Sequence, residues 1–281
     1  MSYFKPYTLN IRGTLYRVDS PQVMGILNVT PDSFYNGSRC TDEQTIRKRV
    51  RTIVDEGAQM LDIGGYSSRP GADNISADEE YSRLSRGLRI IKEEAPDIIV
   101  SVDTFRADVA QRCYDDWGID IVNDIAAGGL DNRMIETVAR IRVPYIMMHM
   151  RGNPHTMTSL TDYNDIVGDM IQYFGEKISE AAFAGINDII IDPGFGFSKT
   201  LDQNYELLER LDVFKALDMP ILVGMSRKSM LYRLLDTTPA ESLNATTAVN
   251  VVSLLKGASI IRVHDVRQAV EACRIIYKLN P

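Results

Sequence analysis

The sequence predicts a TIM barrel: one (β/α)8 domain spanning residues 1–281, entered through a short N-terminal β-hairpin. Two observations carry this expectation. Eight short apolar runs, at 23–27, 59–63, 98–102, 119–122, 145–148, 188–191, 221–223 and 259–263, alternate with amphipathic stretches, the order that a parallel sheet with crossover helices requires. Their number, and the span of about 250 residues, match a closed barrel. The alternative is an open doubly wound sheet, but no GxGxxG follows any run, so its dinucleotide-binding form lacks support.

The segments between the runs have helical periodicity. Residues 41–56 read as a helix capped by Thr41, and 78–94 place Tyr81, Leu84, Leu88 and Ile91 on one helix face. Segments 162–184, 201–217 and 240–256 repeat the pattern. Ahead of the first run, residues 8–18 alternate around Arg12-Gly13 and read as a hairpin that plugs the barrel floor.

A hydrophobic share of 44% allows a core that needs neither disulfides nor metals. The net charge of −7 argues against nucleic acid as a partner, while leaving room for a local cationic site. Cys40, Cys113 and Cys273 lie far apart without a CxxC pair, as expected of reduced thiols in a cytoplasmic protein. The N-terminus has no basic segment leading into an apolar one, and no apolar run approaches ~18 residues, so no membrane association is expected. HExxH, GxSxG and GxxxxGK[ST] are all missing, and no Ser or Cys has a base at motif spacing. His149, His155 and His264 stand too far apart in sequence to imply a metal triad.

Every run gives way to polar residues, and barrel chemistry sits at strand C-termini. The ends are Asn28, Gly64, Asp103, Asn123-Asp124, His149, Asp192, a GMSRKS segment from Gly224 to Ser229, and Arg262 with His264. Singly, each suits a helix cap or a satisfied core group; together they converge on one pocket. Three carboxylates (Asp103, Asp124 and Asp192) and two amides (Asn28 and Asn123) would face three cations, Arg69, Lys228 and Arg262. Buried carboxylates suit a ligand edge with adjacent N–H donors, such as an amino-pyrimidinone. Arg262, His264, Asn28 and backbone near Ser67 and Ser68 suit a polyphosphate with Mg2+.

With these residues in place, the chain resembles the dihydropteroate synthase family from Val23 to Ile276. The matching segments are MGILNVTPDSF, DIGGYSSRPGA, SVDT, NDIAAGG, MHMRGNPHTM, DPGFGF followed by KT, VGMSRKS and RVHDV, in the family's order. The resemblance implies condensation of 6-hydroxymethyl-7,8-dihydropterin pyrophosphate with 4-aminobenzoate, a Mg2+ cofactor, a homodimer and competition by sulfonamides. It also implies roles for individual residues. Asp103, Asn123, Met148, Asp192, Gly224, Lys228 and Arg262 would bind the pterin. Phe34, Ser68, Arg69, Pro70, Phe197, Lys228 and Ser229 would bind aminobenzoate. Asn28, Ser68, Arg69, Arg262 and His264 would meet pyrophosphate, with Asn28 on the metal, and Asp103, Lys228, Arg262 and His264 would carry catalysis.

Two departures from the family pattern stand out. Tyr66-Ser67-Ser68 replaces the familiar Glu-Ser-Thr, losing a methyl worth about 0.8 kcal/mol at most. Ala126-Ala127 replaces Ser-Gly at positions without an implied role. A methyltetrahydrofolate–corrinoid methyltransferase would not need the loop from Thr30 to Phe34 or the Ser-Arg-Lys-Ser run. A non-catalytic paralogue would have lost pyrophosphate or aminobenzoate positions, and none is lost here.

Overall fold

The computed structural model describes residues 3–30, 42–68 and 73–279. Strands β1 (Tyr7–Ile11) and β2 (Thr14–Val18) form an antiparallel hairpin. Its turn residues Arg12 and Gly13 both have positive φ, 53° and 75°, the requirement of a tight hairpin whose twist matches its strands.

Eight parallel strands come next in the chain: β3 (Gln22–Asn28), β4 (Met60–Gly64), β5 (Ile99–Asp103), β6 (Ile121–Asp124), β7 (Tyr145–Met148), β8 (Ile189–Asp192), β9 (Leu222–Val223) and β10 (Ile260–Val263). Sequential neighbours pair, β10 returns to β3, and a bridge between Ile191 and Ile221 joins β8 to β9. The ring is therefore the expected (β/α)8 barrel. Among the described residues, no helix is long and apolar enough to cross a membrane. Cys113 and Cys273 are buried free thiols, and Cys40 lies outside the described residues.

Around the ring lie α1 (Glu43–Asp55), α2 (Ala77–Glu94), α3 (Ala107–Trp117), α4 (Met134–Ile141), α5 (Ile166–Phe183), α6 (Leu201–Glu209), α7 (Ser229–Leu234), α8 (Leu243–Leu255) and α9 (Val266–Lys278). Several boundaries differ from the sequence reading. Asp42, not Thr41, caps α1, its carboxylate accepting from the Thr45 N–H at 2.9 Å. Helix α2 starts a residue earlier because Ser76 caps it. Helix α5 starts only at Ile166, since the Thr161 carbonyl accepts from Gln203 at 2.8 Å and the Asp162 carbonyl from Arg151. Likewise the carbonyls of Pro239 and Ala240 accept from Arg227 at 2.6 Å each, and α8 begins after them. Segment 201–217 is helical as α6 and then continues as a 3-10 turn, Leu211–Leu217.

The hairpin plugs the floor as expected. Leu9 and Ile11 pack on a layer of inward side chains, Met24, Met60, Ile99, Ile121, Ile146, Ile190, Leu222 and Ile260. Arg12 fastens it through a two-point ion pair with Asp120 at 2.9 and 3.0 Å. With the floor apolar and sealed, polar side chains facing inward must lie above it, toward the strand C-termini.

Candidate active site at the barrel mouth

Strand alternation decides which polar groups face inward. On β6, Ile121 lies in the floor layer, so Asn123 faces in and Asp124 faces out. Asp124 therefore does not join the pocket; this corrects the three-carboxylate expectation. Its oxygens accept from the Ala126 and Gly128 N–H groups at 2.9 and 2.7 Å and from the Tyr145 hydroxyl at 2.7 Å. They hold the turn in which Ala127 adopts φ 47°, a left-handed conformation that costs alanine more than glycine.

His149 is also turned away from the mouth. It packs edge-on against Tyr173 at 4.9 Å and lies 3.2 Å from the Lys199 ammonium. Burial and Lys199 drive its pKa down to about 2.

The third inward carboxylate is Asp62, which the sequence reading does not include. It shares its strand face with Met60 of the floor and is fully buried. A signal for it exists, since an aspartate interrupts the apolar run 59–63 at the parity of an inward residue. Asp62 Oδ2 accepts from Arg262 Nε at 2.6 Å and from Asn123 Nδ2 at 3.2 Å. Arg262 Nη2 donates to Asp103 Oδ2 at 2.8 Å. Burial pushes the Asp103 carboxyl upward, Arg262 opposes this, Asp62 adds to it, and the result is about 7.

Across the mouth, Asp192 Oδ1 accepts from the Gly194 N–H at 2.8 Å. Burial raises its pKa against the pull of Lys228. Only glycine suits position 194: φ is +69° and a Cβ would lie 2.2 Å from the His149 carbonyl oxygen. Lys228 bonds the Phe195 carbonyl and lies 4.6 Å from the centre of the Phe197 ring. Burial lowers its pKa to about 8, with Asp192 opposing. Met148 is buried in a small apolar cluster with Ile125, Met150 and Met157, against which Phe197 packs. Gly224 borders Arg262, whose Cβ would be 3.8 Å from an added methyl, and Ser229 opens α7 after Lys228.

The two cations of the Ser-Arg-Lys-Ser run have different roles. Arg227 is buried and bidentate to Asp265 at 2.9 and 2.8 Å, so it braces the loop, while Lys228 faces the mouth. Ser226 Oγ accepts the His264 backbone N–H at 3.1 Å and lies 2.9 Å from its Nδ1. Burial, followed by Arg262, Arg49 and Arg227, lowers His264 to about 3, so the ring is neutral. Asn28, at the end of β3, borders Gly64 alongside Asp103: a methyl on Gly64 would meet Asn28 Oδ1 at 3.5 Å and Asp103 Cβ at 3.7 Å.

In the second loop, Tyr66 packs edge-on against Phe105 at 5.1 Å, and the Arg106 guanidinium lies over both rings. Arg106 also pairs with buried Glu80 and donates to the Ile75 carbonyl at 2.7 Å. It thereby ties both ends of residues 66–75 to α3. Ser68 is partly buried here, while Phe34, Arg69 and Pro70 lie outside the described residues.

Asp62, Asp103, Asn123 and Asp192 thus gather at the barrel mouth together with two cations, Arg262 against Asp62 and Asp103, and Lys228 near Asp192. Acceptors and cations placed in this way bind a heterocycle rich in N–H donors that carries an anionic substituent. The chain belongs to the pterin binding enzyme family, matching it over residues 24–264. Within that family it is similar to dihydropteroate synthases. The Synechocystis sp. enzyme is 42% identical over 90% of this chain and 88% of its own. The Yersinia pestis dihydropteroate synthase, solved with a sulfonamide drug, superposes with a TM-score of 0.91 at 37% identity, covering 97% and 98% of the two chains. The Thermus thermophilus enzyme, solved with 4-aminobenzoate, gives 0.86 at 34% identity over 97% and 100%.

Proposed function

We infer that the chain is a dihydropteroate synthase: a transferase of folate biosynthesis that joins the pterin methylene of 6-hydroxymethyl-7,8-dihydropterin pyrophosphate to the amine of 4-aminobenzoate. The observation that carries this reading is the buried set of acceptors interleaved with Arg262 and Lys228, at the mouth of a barrel that matches dihydropteroate synthases along its length.

In this reading the amino-pyrimidinone edge meets Asp192 and Asn123, and Lys228 donates to the pterin. Its ring rests against Met148, Gly224 and the Arg262 guanidinium. The methylene C–O bond breaks, and its electron pair leaves with pyrophosphate toward Arg262 and neutral His264. The positive charge left on the pterin is stabilised by the Asp103 carboxylate. The aminobenzoate nitrogen lone pair then forms the C–N bond, and the nitrogen releases its proton to water. No side chain is asked to act as a nucleophile, in keeping with the absence of an activated Ser or Cys in the motifs. Phe197 and Lys228, together with Ser229, Ser68, Phe34, Arg69 and Pro70, would hold the aminobenzoate.

The donor set suits Mg2+. Asn28 Oδ1 and the Asp103 carboxylate border the same glycine, and a hard cation of this kind takes few protein oxygens, the rest coming from phosphate and water. Asn28 would hold the ion, which when bound neutralises charge on the pyrophosphate. A homodimer belongs to the same reading. A coupled pyrophosphate-release assay with both substrates and Mg2+ tests the function: release that depends on aminobenzoate is expected, and pterin binding without release overturns it.

A further inference from the structure

The carboxylate of Asp62 has no counterpart among the residues assigned a role above, yet it touches two of them. It is fully buried, one layer below Asp103 and Asn123. Its Oδ2 receives both Arg262 Nε and one N–H of Asn123, at 2.6 and 3.2 Å. Its Oδ1 is buried with no hydrogen-bond partner among the described residues, as is Ser101 Oγ, its register partner on β5. A buried carboxyl oxygen left without a partner costs stability, so packing alone gives no reason to keep one at this position.

We propose that Asp62 is the positioning residue of the pterin slot, fixing the plane of the Arg262 guanidinium and the orientation of the Asn123 amide before substrate arrives. The inference rests on the synthase reading, and the geometry supplies its physical content. Arg262 is gripped at Nε by Asp62 and at Nη2 by Asp103, two points that define the plane of a rigid fork. The free face of that plane is what a flat pterin would lie against. For Asn123, the amide nitrogen must point at Asp62, because an oxygen there would oppose a carboxylate. The amide oxygen and the second N–H are thereby turned toward the slot, an acceptor beside a donor. Without Asp62 the amide is free to flip and the fork to swing, and each substrate molecule would have to order them again.

The test is a double-mutant cycle read by calorimetry, titrating 6-hydroxymethyl-7,8-dihydropterin pyrophosphate with Mg2+ and no aminobenzoate. Asp62→Asn, which keeps size and shape, is expected to weaken binding about ten- to hundred-fold, the range typical of residues that orient a site, with Tm close to wild type. Combined with Arg262→Ala, the same substitution is expected to cost under about three-fold, because the group it orients is gone. Aminobenzoate KM should stay within about two-fold while kcat falls. If Asp62→Asn lowers folded yield, Asp62→Ser provides the same cycle. Equal cost in both backgrounds, or wild-type affinity in the single variant, overturns the inference. Failure of the wild-type protein to release pyrophosphate would instead overturn the synthase reading, so the two outcomes stay separate.

Discussion

Ser226 Oγ accepts the backbone N–H of His264 at 3.1 Å and lies 2.9 Å from the Nδ1 of the same residue. The hydroxyl can donate its own hydrogen to Nδ1, and in that tautomer the imidazole proton sits on Nε2. A neutral His264 then offers an N–H donor to a leaving oxygen. Ser226→Ala is expected to lower kcat about ten-fold while pterin pyrophosphate KM changes little. Steady-state kinetics with both substrates checks the split, and an unchanged kcat removes Ser226 from the mechanism.

Asp103 and Lys228 are expected to set opposite limbs of a pH profile. Asp103 is raised to about 7, so it gains its charge as pH rises through that value; Lys228 is lowered to about 8, so it loses its charge as pH rises further. The slot needs both charges, and kcat/KM for pterin pyrophosphate should peak between these values and fall on either side. The apparent values belong to the interacting set. Lys228→Arg, which keeps the charge, is expected to carry the alkaline limb to higher pH even if turnover drops; a limb that does not move would assign it to another group.

Asp192 accepts from Gly194 and keeps an oxygen for a ligand edge. Asp192→Ala should abolish measurable pterin binding by calorimetry, since a buried charged acceptor is worth more than a neutral one. Affinity close to that of wild type would refute its place in the slot.

Tyr66 occupies a position where the family pattern has glutamate, and its ring lies under the Arg106 guanidinium. Tyr66→Ala removes that cation–π contact and its T-shaped partner. Aminobenzoate KM is expected to rise roughly two- to ten-fold, the range of one such interaction, with pterin pyrophosphate affinity unchanged. Equal loss for both substrates would point to general damage.

Leu9 fills the barrel floor at 1% exposure. Leu9→Ala should destabilise by about 2–4 kcal/mol in urea unfolding and leave both KM values alone. A substrate effect would mean the plug reaches the mouth.

The barrel is legible in the sequence because its strands are buried on both faces and read as apolar runs, and because polar residues end those runs in order. Boundaries are less so, since the groups that stop a helix are often distant side chains. Arg227 takes the carbonyls before α8, and Gln203 takes one before α5. Within the site, strand ends alone do not separate the adjacent pair Asn123 and Asp124; only the parity set by Ile121 shows which faces in. Asp62 is hard to find because it lies two residues before its strand ends. Arg227 and Lys228 look alike in sequence, and the difference between them is Asp265, far along the chain. The anchoring of Tyr66 depends on Arg106 for the same reason.

The grip of the barrel on its two substrates is unequal in kind. In the synthase reading most pterin-facing groups stand on strands, and Asp62 on β4 locks Arg262 on β10 in place. Ser67 and Ser68 stand beyond the end of β4, where Tyr66 already departs from the family pattern. A compound shaped to the strand-borne slot meets residues the chain cannot exchange without unsettling its own interior. One that competes with aminobenzoate meets residues that can drift, so escape from inhibition should arise on that side first.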